Sequence, residues 1–139
     1  MATPKINSVI RVPASITSSA SLSNSFFRLW IEFLTPLHGL TFREKEVLAA
    51  FIKKRFEMGQ SISDEVLLDK VLMSTEVSSE IKKECNISNS YYKFVMSKLR
   101  KVKAIVDGRI NQKFIPKNLS INDKDFKLLF YFDLNGGNI

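Results

Sequence analysis

Cysteine and histidine are almost missing from this sequence: Cys85 and His38 are the sole examples in 139 residues. That scarcity excludes a disulfide framework and a Cys/His zinc finger, and leaves no thiol or serine dyad beyond the single pair. Five glycines are few, and neither G-x-x-x-x-G-K-[ST] nor G-x-G-x-x-G occurs, so a phosphate-cradling nucleotide loop is not expected. Apolar runs long enough for a bilayer are absent, which removes a transmembrane role and a membrane partner from the expectations. Acidic residues are also in the minority. Fourteen Asp and Glu face 21 Lys and Arg, a net charge of +7 with pI ≈ 9.6, which points to nucleic acid or another anionic surface.

What is present suits a packed domain. Hydrophobic residues make up 45% and aromatics 11%, enough for a normal core, so disorder of the whole chain is excluded. The length predicts one domain with an arm: residues 1–25 as an extended N-terminal arm and 26–139 as a single domain. The arm has Pro4 and Pro13, an alternating stretch Ser8 to Val12, and then Ser- and Thr-rich sequence. It reads either as a flexible tail or as a strand donor, with Val9, Ile10 and Val12 pairing with a neighbouring subunit. Residues 1–31 hold Lys5, Arg11 and Arg28 and no acid, the composition of an organellar transit peptide, although we read the segment as retained. With one free Cys and no secretory signal, an intracellular protein is expected.

Asn24 or Ser25 caps a first helix that runs to about Leu34 and stops at Thr35-Pro36. Phe26, Trp30 and Phe33 form one apolar stripe on it, and Phe27, Ile31 and Leu34 a second. A helix that is apolar nearly all round lies in the middle of a domain or meets a partner chain. Phe26, Phe27, Trp30 and Ile31 therefore join Val9, Ile10 and Val12 as candidate oligomer contacts.

Thr41-Phe42-Arg43-Glu44 is a capping box opening a helix with Val47, Leu48, Phe51, Ile52 and Phe56 on one side, ended by Gly59. Ser63-Asp64-Glu65 starts another, with Val66, Leu67, Leu68, Val71 and Leu72 expected in the core. A break at Ser74-Thr75 precedes a short helix through Val77, Ile81 and Cys85, and the next runs from about Asn89 to Lys103. Residues 104–106, Asp107-Gly108 and 112–115 read as strand, turn and strand, and 126–134 as a last strand. The acids Asp64, Glu65 and Asp69 are expected to serve helix capping, His38 to sit in a loop and Cys85 to act as a small core hydrophobe. No catalytic set emerges, so no enzymatic activity, cofactor or metal is expected.

The chemistry-bearing stretch is Glu80 to Tyr92, read as a helix–turn–helix. Asn86 is placed to take the left-handed conformation that a tight interhelical turn demands, and Ile87 to plug the space between the helices. Tyr92, Val95, Met96, Leu99 and Val102 then mark a buried face. The opposite side carries Lys93, Ser97, Lys98, Arg100 and Lys101, and Ser88, Asn89 and Ser90 begin the helix. Between Lys82 and Lys117 ten basic residues face only Glu84 and Asp107, a local net charge of +8.

The run from Ile81 to Val106 with its following hairpin resembles a winged helix–turn–helix domain. The opening Leu40 to Leu48 resembles that of LuxR-type DNA-binding domains, though about twenty residues are inserted before the motif. The ending, Ile115-Pro116-Lys117-Asn118 and Phe126 to Phe132, is similar to RepL-type plasmid replication proteins. The likeness covers about residues 40–134. In two places the sequence departs from the usual motif: Lys82 where a small residue is common, and Asn86 in place of Gly.

The resemblance implies a mainly α fold with a small antiparallel β wing, binding double-stranded DNA through Ser88, Asn89, Ser90, Lys93, Ser97, Lys98, Arg100 and Lys101, with Arg109 and Lys113 on the wing. Two roles follow. One is a DNA-binding regulator or replication-initiator-like factor in the cytoplasm or nucleoid. The other comes from the architecture and not from the resemblance: an arm, a doubly apolar helix and a basic face that could line a DNA channel suit a structural subunit of a phage virion, in a ring between capsid and tail, that self-associates through its arm and apolar helix beside other virion proteins.

Overall fold

The computed structural model describes residues 24–117. The arm contacts expected of Val9, Ile10 and Val12, and the strand expected over 126–134, lie outside the described residues. The described part is mainly helical with one small antiparallel sheet. It runs α1 (Asn24–Phe33), α2 (Thr35–His38), α3 (Phe42–Gly59), α4 (Glu65–Leu72), α5 (Thr75–Cys85), α6 (Asn89–Lys101), β1 (Ile105–Val106), β2 (Arg109–Ile110) and a 3-10 turn (Gln112–Phe114).

Polar caps set most of the helix starts. The Thr41 hydroxyl accepts from the Glu44 backbone N–H while the Glu44 carboxylate accepts from that of Thr41 at 2.9 Å, so the expected capping box forms at α3. Asp64, Ser74 and Ser88 cap α4, α5 and α6 in the same way, each side-chain oxygen accepting from a first-turn N–H. Pro36 stands in the first turn of α2, where a missing N–H costs nothing, so the chain resumes a helix at the point expected to stop one.

The core forms around α3, which packs against α1, α4, α5 and α6. Val47, Leu48, Phe51 and Ile52 of α3 are buried with Leu72, Ile81, Val95 and Leu99 from the other helices. Both stripes of α1 enter this core: Phe26, Phe27 and Ile31 are buried, and Trp30 and Leu34 are half-buried against it. The Trp30 Nε1–H donates to the Phe114 carbonyl at 2.8 Å, tying α1 to the segment after β2. Of the two places expected for this helix, burial within the chain is the one seen for Phe26, Phe27 and Ile31, with Trp30 half-buried beside them. α3 packs along α1, and Phe114 of the 3-10 turn joins the same buried cluster.

Three further expectations change. Val66 and Leu67, placed in the core by their hydrophobicity, are about half exposed, and only Leu68 and Leu72 of that helix are buried among its apolar residues. In this eight-residue helix the face turned to α3, α5 and β2 takes Leu68, Asp69 and Leu72, which leaves Val66 and Leu67 on the outer side. The second strand starts directly after Gly108, pairing Ile105 with Ile110 and Val106 with Arg109, and 112–115 form the 3-10 turn and its exit. Asp107 and Gly108 both take positive φ, as a two-residue type I′ turn requires. His38 is buried, not looped out. Its Nδ1 accepts from the Leu40 N–H at 2.9 Å, and its Nε2 lies 2.9 Å from the Ile31 carbonyl, to which it donates.

Candidate nucleic-acid interface

The turn between α5 and α6 is built by its backbone. Asn86 adopts φ 53° and ψ 55°, the left-handed conformation expected of it. There its N–H reaches the Lys83 carbonyl, and the Ile87 N–H reaches that of Lys82 at 3.0 Å, satisfying the end of α5. Arg43 of α3 donates to the Asn86 carbonyl at 3.3 Å and holds the turn from outside. Ile87 is half-buried against the core, and Leu99 is fully buried below it.

Lys82 has a local explanation. Its stem lies half-buried, its ammonium sits 5.3 Å from the centre of the Tyr92 ring, and it donates to Asn89 Oδ1 at 3.1 Å. A long side chain thus bridges the two helices where a small one lets them touch. Burial pushes the Tyr92 phenol upward, opposed by a hydrogen bond with Ser78 and by the charge of Arg100.

α6 presents one open face. Ser90, Lys93, Phe94, Ser97, Arg100 and Lys101 are exposed and Lys98 is half-exposed, while Val95, Met96 and Leu99 point into the core. At about 100° per residue, Ser90, Phe94, Ser97 and Lys101 fall within about 60° of one another and form the crest. Lys93 and Arg100 flank it on one side and Lys98 on the other. The helix contains no acidic residue.

Charge pairing divides the molecule. Every cation of α1 and α3 is matched: Arg28 and Arg43 with Glu46, Lys45 with Glu32, Lys53 with Glu84, Lys54 with Glu80, and Arg55 with Asp69. On α6, none of Lys93, Lys98, Arg100 and Lys101 forms an ion pair with a described carboxylate. Lys103 follows at φ 63°, in a second left-handed helix end where the Ala104 N–H returns to the Leu99 carbonyl at 2.9 Å, and it extends the same basic surface. Free cations on flexible stems around a row of hydroxyls can meet phosphates and hydrogen-bonding base edges.

The other expected contacts divide unevenly. The Ser88 hydroxyl is occupied as the cap of α6, accepting from the Tyr91 N–H at 3.1 Å, and Asn89 is engaged by Lys82 through its oxygen. Arg109 donates from its Nε to Asp69 Oδ2 at 2.7 Å, which anchors the hairpin to α4, while its side chain stays 43% exposed. Lys113 is exposed on the 3-10 turn after β2, and the hairpin tip carries Asp107 in place of a cation. Phe94 is absent from the sequence-based set although it is 59% exposed in the middle of the crest. Its spacing of four from Ser90 and three from Ser97 is the signal in the sequence that puts it on this face.

Cys85 is buried with its thiol pushed from 9.0 up to about 11, mainly by burial and then by Glu84 and Glu46. Among the described residues no cluster of His, Cys, Asp or Glu is arranged to hold a metal ion, and no helix is long and apolar enough to cross a membrane. Compared with known proteins, the chain matches no family model, no curated protein and no solved structure.

Proposed function

We propose that this chain is a non-enzymatic protein that binds double-stranded DNA through a winged helix–turn–helix, as a regulator or replication-initiator-like factor acting in the cytoplasm or nucleoid. In this reading α5 braces the motif, α6 enters the major groove, and the β1–β2 hairpin is a short wing beside it. The observation that carries it is the unpaired cationic face of α6 in a molecule whose α1 and α3 cations are all matched by carboxylates. Unmatched cations crowded on one helix repel each other, and a polyanion relieves that repulsion while releasing its counterions. Arg109 serves the reading indirectly, by fixing the wing to α4.

Titration of a fluorescent random-sequence DNA duplex across a salt series tests the proposal. If α6 and its surroundings neutralise about four to six phosphates, log K falls against log salt with a slope of about −4 to −5. Replacing Lys93, Lys98 and Lys101 together by Ala removes three exposed or half-exposed charges and flattens the slope by about 2 to 3. A folded triple variant with an unchanged slope takes α6 out of the interface, and a wild-type protein that binds no duplex overturns the function.

A further inference from the structure

Phe94 is the anomaly of the α6 face. A phenylalanine 59% exposed at the centre of a row of cations and hydroxyls buries little of its ring in the fold. It is nevertheless held in place. Tyr91, half-buried one turn earlier, stacks on it with ring centroids 6.0 Å apart and planes inclined by 30°. One side of the Phe94 ring is therefore covered and the other faces outward between Ser90, Ser97 and Lys98. An apolar surface so placed is poorly matched to phosphate, which the surrounding lysines serve. It matches the one apolar group that the major-groove edge of DNA offers, the thymine C5-methyl.

We infer that Phe94 is a specificity-determining residue that packs on a thymine methyl when α6 lies in the major groove. The inference rests on the proposed DNA binding and deepens it. The cations of α6 supply affinity without regard to sequence, and Phe94 supplies a preference for T·A pairs at the step beneath the middle of the helix. Stacking on Tyr91 limits the rotamers that Phe94 must give up on binding, so the contact is partly organised beforehand. Because uracil lacks the methyl, the same contact separates thymine-containing from uracil-containing DNA of one sequence.

The probes are a 24-base-pair A·T-rich duplex, the same duplex with each thymine replaced by uracil, and a G·C duplex of equal length, titrated by fluorescence anisotropy at one salt concentration. Wild-type protein is expected to bind the thymine duplex about fourfold more tightly than the uracil duplex, the worth of one buried methyl. Phe94→Ala binds both alike, near the wild-type affinity for the uracil duplex, and Phe94→Leu keeps part of the discrimination. Equal wild-type binding to the thymine and uracil duplexes overturns the inference but leaves DNA binding standing. Discrimination that persists in Phe94→Ala also overturns it, since the methyl is then read elsewhere. Binding to none of the three duplexes removes the proposed function and the inference with it. If Phe94→Ala leaves all three affinities unchanged but lowers molar mass by light scattering, the ring is a protein contact and the assignment fails.

Discussion

Asp69 joins three elements that meet nowhere else through charge, and removing its charge is the sharpest test of how the fold holds its hairpin. It lies on α4, 1% exposed, and receives Arg55 Nε from α3 at 2.9 Å and Arg109 Nε from β2 at 2.7 Å. Arg55 is itself buried, and its Nη2 has no hydrogen-bond partner, so the Asp69 carboxylate is the main compensation for that guanidinium. In Asp69→Asn the shape persists while the negative charge goes, leaving a buried cation without a counterion. Breaking a buried pair from one side costs about 3–5 kcal/mol. The Arg109 side chain is 43% exposed, and its share falls to about 0.5–1 kcal/mol because water screens it.

A domain of ordinary stability has about 5–15 kcal/mol in all, so Asp69→Asn should lower the urea midpoint by roughly 2 M, given a slope of about 2 kcal/mol per molar. Circular dichroism at 222 nm follows the transition. Arg109→Ala should cost no more than about 1 kcal/mol. The double variant Arg55→Met, Asp69→Leu should regain most of the loss, since two apolar side chains replace the pair without stranding a charge. An Asp69→Asn loss below about 1 kcal/mol, or a double variant no better than the single ones, would refute the description of Asp69 as the counterion of a buried arginine.

Two further outcomes are expected. Cys85, Lys54 and Tyr92 each hold a proton more tightly in the folded chain, Cys85 through burial, Lys54 through its bond to Glu80 and Tyr92 through burial, so folding stability is intact below about pH 9 and declines as pH rises toward 11. Urea midpoints at pH 8 and pH 10.5 should converge in Cys85→Ala relative to wild type, and an equal pH slope in both proteins excludes the thiol as a contributor. The second concerns α1: Ile31→Ala costs about 2–5 kcal/mol by leaving a cavity, and adding Trp30→Ala also deletes the bond to the Phe114 carbonyl. The double variant should lose its helical signal at room temperature, whereas a folded double variant that changes only in molar mass by light scattering would return these residues to a subunit contact.

Much of the local structure was legible because its determinants lie within a few residues of each other. The capping box at Thr41 and Glu44, the left-handed turn at Asn86 and the Asp107-Gly108 hairpin turn each depend on a side chain and the backbone it touches, and all three stand where the residues indicated. The open side of α6 was readable for the same reason: Val95 and Leu99 fall on one side of a helix and Lys93, Ser97 and Lys101 on the other, whatever they face. What required the tertiary structure was every statement about a partner far along the chain. Whether Phe27 and Ile31 meet another subunit or α3, whether Arg109 reaches outward or is caught by Asp69 across 40 positions, and whether Phe94 is core or crest all turn on which surfaces the fold brings together. Hydrophobicity states only that a side chain prefers to leave water, and charge only that it prefers a counterion. The neighbour that satisfies each preference is chosen by packing, and packing here closed over α1 while leaving the α6 face open.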